Sequence, residues 1–345
     1  MALIRFYKPA LYRKDMDAVL QTMVDEKIGP GERKKEFLKT FSAYIGKKDG
    51  IALRSYLDVI VASFNALELE KGDSVLISVL SPKIYLEAFR RTGVKPILID
   101  TDETGLPSLE DAAKKIQEES VKAFVYYEPI CQIPENFESV KELGLPIIED
   151  ISQSLGSVWS DTIKAGMGGD IVISEFEENG VISTGGGACA VSSSDDKIEK
   201  LKKEAAIGSP YVDLPDMNAA LGIVQLGKID TLLARRNELY RLFTQSQMKS
   251  GAKLFGASSP SFYANGYGFS VVVNTRPDEA IEFAQKHGVS SRRTFTSSIG
   301  SKYQDKYDRF PNAIAPVTRA ISFPLYPFLA KSEIESIQRV ISHLG

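Results

Sequence analysis

The chain has 345 residues, 43% hydrophobic and 25% charged, enough for two domains or for one large domain with an appendage. Lys and Arg number 42 against 45 Asp and Glu, a net charge of −3, so no basic excess can neutralise a phosphate backbone and nucleic acid is not expected as the main partner. Two cysteines (Cys131, Cys189) cannot build a disulfide framework or a C-x-x-C pair, and two histidines (His287, His343) fall short of a His-based metal site.

The opening MALIRFYKPALYRKD carries charges inside its apolar stretch, unlike a signal peptide, and no run of about 18 apolar residues marks a membrane span, so a cytoplasmic chain is expected. From about residue 54, helical and strand periods alternate. Ser55 to Leu69 has apolar residues at helical spacing and stops before the turn signal Lys71-Gly72-Asp73. Val75 to Leu80 reads as a buried strand. Ser81-Pro82 then opens a helix that ends at Gly93. Lys95 to Ile99 reads as a strand, Leu109 to Glu118 as a helix, Lys122 to Tyr126 as a strand and Phe137 to Leu143 as a helix. Leu145 to Ile148 is the next strand and runs into Glu149-Asp150. The alternation predicts an α/β fold, with a mostly parallel, doubly wound sheet covered by helices on both faces.

Residues 151–190 are rich in Ser and Gly, with strand-like runs at Ile171 to Ser174 and Ala188 to Val191. Helical patterns follow at Asp195 to Ala206 and Pro215 to Met248, with Arg235-Arg236 in a polar stretch. The chain then restarts with strands at Gly268 to Val273 and Ala320 to Phe323 and helices at Pro277 to His287 and Ser332 to His343. This predicts a large domain over 1–235, N-terminal arm included, and a small C-terminal α+β domain over 236–345.

In open α/β sheets, ligands sit beyond the carboxyl ends of the strands, which makes Asp150 the first candidate. Its context is PIIEDISQSLGS, followed by a G-x-G-G-D turn (Gly166 to Asp170), a strand ending ISEF, and TGGGACAV. Together with KGDSVLIS, GVKPILIDTD and NAALGIVQLGKIDTLLARRNELY, this resembles the DegT/StrS family of nucleotide-sugar aminotransferases, which use pyridoxal phosphate (PLP) on a type I transferase fold. The resemblance implies a mainly parallel seven-stranded sheet in the large domain. It places Asp150 where a carboxylate keeps the PLP pyridine nitrogen protonated, Gln153 beside the ring, and Ser174 and Ser55 at the phosphate.

Other positions depart from the family pattern. Asn179 stands where the family has its Schiff-base lysine, and an amide nitrogen is no nucleophile toward an aldehyde. Ser55-Tyr56-Leu57 replaces Ser-Gly-Thr at a phosphate-binding helix N-terminus, and Pro82 replaces an aromatic that stacks on the ring. Tyr211 and Asp213 stand where a neighbouring subunit lends Asn and Arg, and Glu177 and Glu178 bring negative charge toward a phosphate site. The expectation is a non-catalytic binding or partner protein in nucleotide-sugar or polysaccharide biosynthesis, holding PLP or its amine form (PMP) weakly or not at all. The alternative is a sugar aminotransferase or dehydratase with non-covalently bound PLP or PMP. A homodimer through the large domain is expected, since the apolar pattern around Met217 to Leu226 needs a buried face, or a heterodimer with an active relative.

The remaining candidates have plainer readings. Lys164 reads as a solvated turn residue rather than a substitute lysine. Gly185-Gly186-Gly187 lacks the Gly-Lys-Ser/Thr of a phosphate loop and reads as a turn needing positive φ. Trp159, Tyr126, Tyr127 and the two cysteines read as packing residues, and Lys197 to Lys203 as a solvated helix face.

Overall fold

The alternating elements assemble, in the computed structural model, which describes residues 3–344, into one seven-stranded sheet. Across it the strands run Asp49–Leu53, Ala188–Ser192, Ile171–Glu175, Ile147–Asp150, Val121–Tyr127, Ser74–Ser78 and Lys95–Ile99. The last five are mutually parallel, while Ala188–Ser192 runs antiparallel to both neighbours. Val75, Ile77, Val125, Ile148 and Ile173 are wholly buried, as expected for strands covered on both faces. The register sets Tyr127 beside Asp150 and Asp150 beside Ile173, so the carboxyl ends of three strands open on one crevice.

Two helices enter this crevice by their N-terminal turns. Tyr56–Ala66 is capped by Ser55, whose Oγ accepts from the Asp58 amide at 3.3 Å. The helix expected from Pro82 starts later, at Ile84–Thr92, because Pro82 bridges to Ser298 and the Lys83 amide bonds the Ser297 carbonyl at 2.8 Å. It ends as expected at Gly93, which takes φ 74°.

The long pattern from Pro215 to Met248 divides into Asp216–Leu226 and Ile229–Gln247. Gly227, a weak helix former, stands at the break, and Lys228 is anchored there by an ion pair with the buried Asp15. The chain's own helices Arg13–Val24 and Glu32–Ile45 pack against Asp216–Leu226, where Ala219, Ala220 and Leu226 are buried, while Met217 stays 38% exposed. Asp216 is drawn into the same packing. Its carboxylate accepts from the amides of Gly31, Arg33 and Lys34 at 2.7–3.2 Å and supplies the cap that Gly31 lacks.

The C-terminal part is a four-stranded antiparallel sheet, in the order Lys253–Leu254, Phe269–Val272, Ala320–Phe323, Arg292–Arg293, with helices Pro277–Lys286, Pro311–Arg319 and Lys331–Ser342. Residue 235 falls inside the helix Ile229–Gln247, which runs from one part into the other. Arg236 is not polar surface. It is only 2% exposed and donates to the carbonyls of Gly266 at 2.9 Å, Leu325 at 3.3 Å and Gly180 at 3.4 Å. Among the described residues no helix is long and apolar enough to cross a membrane.

Candidate active site

Asp150 lies at the bottom of the crevice, fully buried. Its Oδ1 accepts from the Ser152 amide at 3.0 Å and the Ser152 hydroxyl at 2.6 Å. Its Oδ2 accepts from the Tyr85 hydroxyl at 2.7 Å and from the Tyr56 hydroxyl. Burial pushes the carboxyl above its ordinary value, and these four donors pull it back. The same burial, with the Asp150 charge beside them, pushes both phenols far up, so each remains a donor. The two rings meet edge to face at 6.2 Å and fill the space in front of the carboxylate.

The residues expected to hold a phosphate are engaged elsewhere. Ser55 caps its helix, and Ser174, fully buried, donates at 3.3 Å to the Glu175 carbonyl. Gln153 and Asn179 do come together, on a residue with no signal in the sequence. The Tyr267 hydroxyl accepts from Asn179 Nδ2 at 2.9 Å and Gln153 Nε2 at 3.4 Å, and Gln153 Oε1 accepts from the Ile130 amide at 2.9 Å. They wall a cavity of about 70 Å³ with Phe6, Arg292 and Thr294, and no lysine lines it. Burial, then the charges of Glu177 and Asp150, pushes the neighbouring Glu175 carboxyl up to about 8.

The other readings are settled by position. Lys164 is exposed, on the rim of a separate cleft of about 920 Å³ that shares no lining residue with the Asn179 cavity. Gly185, Gly186 and Gly187 all take positive φ, at 75°, 114° and 100°, in the turn between two strands. Trp159, Tyr126, Tyr127, Cys131 and Cys189 are buried, and burial pushes the Cys131 thiol up to about 11. Lys200 and Lys202 pair with surface carboxylates. Tyr211 is 84% exposed, and Asp213 is bound to Lys34 at 2.8 Å.

PLP needs a carboxylate free to meet its ring nitrogen, an amine for its aldehyde, and room for ring and phosphate. Here four internal donors occupy the carboxylate, and the residue in the amine position is an amide. The cavity that Gln153 and Asn179 line measures about 70 Å³, against roughly 300–1,000 Å³ for ordinary small-molecule pockets, and Asp150 does not line it. As placed, these residues do not fit that group.

Sheet order, crevice and C-terminal sheet are those of the type I fold of PLP-dependent transferases. The chain belongs to the DegT/DnrJ/EryC1/StrS aminotransferase family, whose profile matches residues 9–344. It is 21% identical to the spore coat polysaccharide biosynthesis protein SpsC of Bacillus subtilis, over 95% of this chain and 94% of that one. It is 23% identical to the GDP-perosamine synthase of Escherichia coli O157:H7, over 97% and 96%. The putative sugar aminotransferase Spr1654 of Streptococcus pneumoniae, solved in its PMP form, superposes with a TM-score of 0.89 at 18% identity, over 99% of this chain and 97% of that one. DesV of S. venezuelae, in complex with a ketimine intermediate, gives the same TM-score and identity over 99% and 98%.

Proposed function

We propose that this chain serves nucleotide-sugar biosynthesis in the cytoplasm as a binding or partner protein of its family, without forming an internal aldimine. The observation that carries this is the closure of Asp150 by Tyr56, Tyr85 and Ser152, opposite a cavity that holds Asn179 and no lysine. A buried carboxylate with four donors has no need of a pyridinium, and displacing those hydroxyls leaves them unsatisfied in a dry site. The expected result is purified protein with no visible aldimine absorbance and no PLP fixed by borohydride. A pyridoxyl-modified peptide, at Lys164 or any other lysine, would overturn the reading.

The second reading is a sugar aminotransferase or dehydratase that holds PLP or PMP non-covalently. Its support is the near full-length match to relatives described as GDP-perosamine synthases and as a dTDP-sugar 4-aminotransferase. Amino transfer from glutamate to a 4-keto nucleotide sugar, measured with added PLP, separates the two readings. Turnover sustains this one.

For the assembly we propose an isologous dimer or a pair with an active relative. Met16, Leu20, Met23 and Val24 recur at helical spacing on Arg13–Val24 and are 55–74% exposed, a face that a second subunit would cover. Light scattering that gives the monomer mass at micromolar concentration counts against the homodimer.

A further inference from the structure

Among the described residues, two guanidinium groups stand on the C-terminal side of the crevice with no carboxylate paired to them. Arg292, at the edge of the four-stranded sheet, lies over the Phe6 ring, its guanidinium carbon 3.9 Å from the centroid. Its neighbour Arg293 forks onto Asp278 at 2.7 and 3.1 Å. For Arg292, among the described residues, the one titratable group that favours its charge is the Tyr267 phenol. Behind the cavity wall, burial pulls the Arg236 guanidinium down to about 10, and the groups that favour its charge are Tyr7, Cys131 and Tyr267. Backbone carbonyls of Gly266 and of the wall residue Leu325 accept from it, and its Nε has no partner. For Arg236 a buried cation without a counter-anion is costly, so positive potential is stored behind the cavity wall, while Arg292 is exposed at the cavity mouth.

The groups between the two arginines are arranged as donors. The Tyr267 hydroxyl accepts from Asn179 Nδ2 and Gln153 Nε2, which engages its lone pairs and leaves its own proton to give away. We infer that this crevice is an oxyanion site, in which the Arg292 guanidinium and the Tyr267 hydroxyl receive one phosphate or carboxylate group of a small molecule. Arg236 adds positive potential from behind, and the Phe6 ring of the N-terminal arm holds Arg292 in place. The cavity of about 70 Å³ suits a single such group at its mouth. Glu175, whose charge bears on Tyr267, stays protonated to about pH 8, so the carboxylate that opposes an anion here is the exposed Glu178, whose charge bears on the cavity-lining Tyr7. The inference concerns the crevice of the proposed function but rests on the unpaired guanidiniums, independently of that reading.

The test is calorimetric titration of the full chain at pH 7 and low salt with inorganic phosphate, glutamate and dTDP-glucose. At least one is expected to bind saturably, Arg292→Ala to weaken that binding about tenfold or more, and Tyr267→Phe to weaken it severalfold. Arg276→Ala, which removes an exposed charge on the same part of the chain, is expected to leave binding unchanged. Phosphate or dTDP-glucose binding assigns a phosphate ligand, and glutamate binding alone a carboxylate. Binding of phosphate or glutamate without dTDP-glucose keeps the oxyanion site and drops the nucleotide-sugar reading. No saturable binding of any of the three, or equal weakening by Arg276→Ala and Arg292→Ala, overturns the inference. Should Arg292→Ala fail to fold, Arg292→Lys keeps the charge and loses the planar fork, and unchanged affinity in that variant overturns it equally.

Discussion

The two ends of the crevice treat charge in opposite ways. At the sheet end, a buried carboxylate is surrounded by Tyr56, Tyr85 and Ser152, all from the same chain, and nothing is left for a ligand to satisfy. At the C-terminal end, Arg292 and Arg236 pair with no carboxylate among the described residues, and Tyr267 has a proton to give. The negative pole of the crevice is closed by hydroxyls, while its positive pole stays open. What the crevice can recognise is therefore set by the arginine end.

The largest expected effect lies at the closed end. Asp150→Ala removes the acceptor of two buried phenols and a buried serine, and each orphaned group costs about 1–3 kcal/mol, so a loss of about 3 kcal/mol or more is expected in urea denaturation. A loss below about 1 kcal/mol would mean that the hydroxyls find water, and that the pole is not closed.

Next comes the pH dependence from Glu175. Burial, Glu177 and Asp150 raise its carboxyl to about 8, and the phenols of Tyr127 and Tyr267 also face it. The folded state keeps a proton that the unfolded chain releases near the ordinary glutamate value of 4.5. Its contribution to stability is therefore full below that value and is lost as pH rises toward 8, with no further change above. Denaturation midpoints across this range are expected to fall for the wild type and to flatten in Glu175→Gln.

Tyr56→Phe should cost less, about 1–2 kcal/mol, because one donor to a charged acceptor is lost while the ring still fills its place. The same change at the open end, Tyr267→Phe, is expected to act on ligand affinity more than on the denaturation midpoint. A larger stability loss at Tyr267 than at Tyr56 breaks the contrast between the poles.

The smallest expected effect is none. Asn179→Lys alone is expected to give no amino transfer from glutamate to a 4-keto nucleotide sugar. The amine would enter a cavity that Asp150 does not line, the carboxylate is already capped by Tyr56 and Tyr85, neither Ser55 nor Ser174 is free to hold a phosphate, and a misplacement of about 1 Å costs on the order of a hundredfold. Tight PLP binding with turnover in that variant would show that the tyrosines swing aside.

Local chemistry made much of this legible in the sequence. Strand and helix periods, the N-cap at Ser55, the stop at Gly93 and the glycine turn at Gly185–Gly187 each depend on residues within a few positions of one another. Asp150 was visible because a buried strand ends there, and Asn179 because it breaks a motif of fixed spacing. Tertiary structure decided what those residues meet. Tyr56 and Tyr85 reach Asp150 from 94 and 65 positions away, and Tyr267 reaches Asn179 from 88. Distant packing also decided two features that the pattern left open. Helices from the start of the chain cover part of the apolar pattern after Met217, and Arg236, in a polar stretch, is buried among carbonyls of Gly180, Gly266 and Leu325. A periodicity records that a side chain will be buried, and only the packing of distant segments decides which donor, acceptor or charge it is buried against.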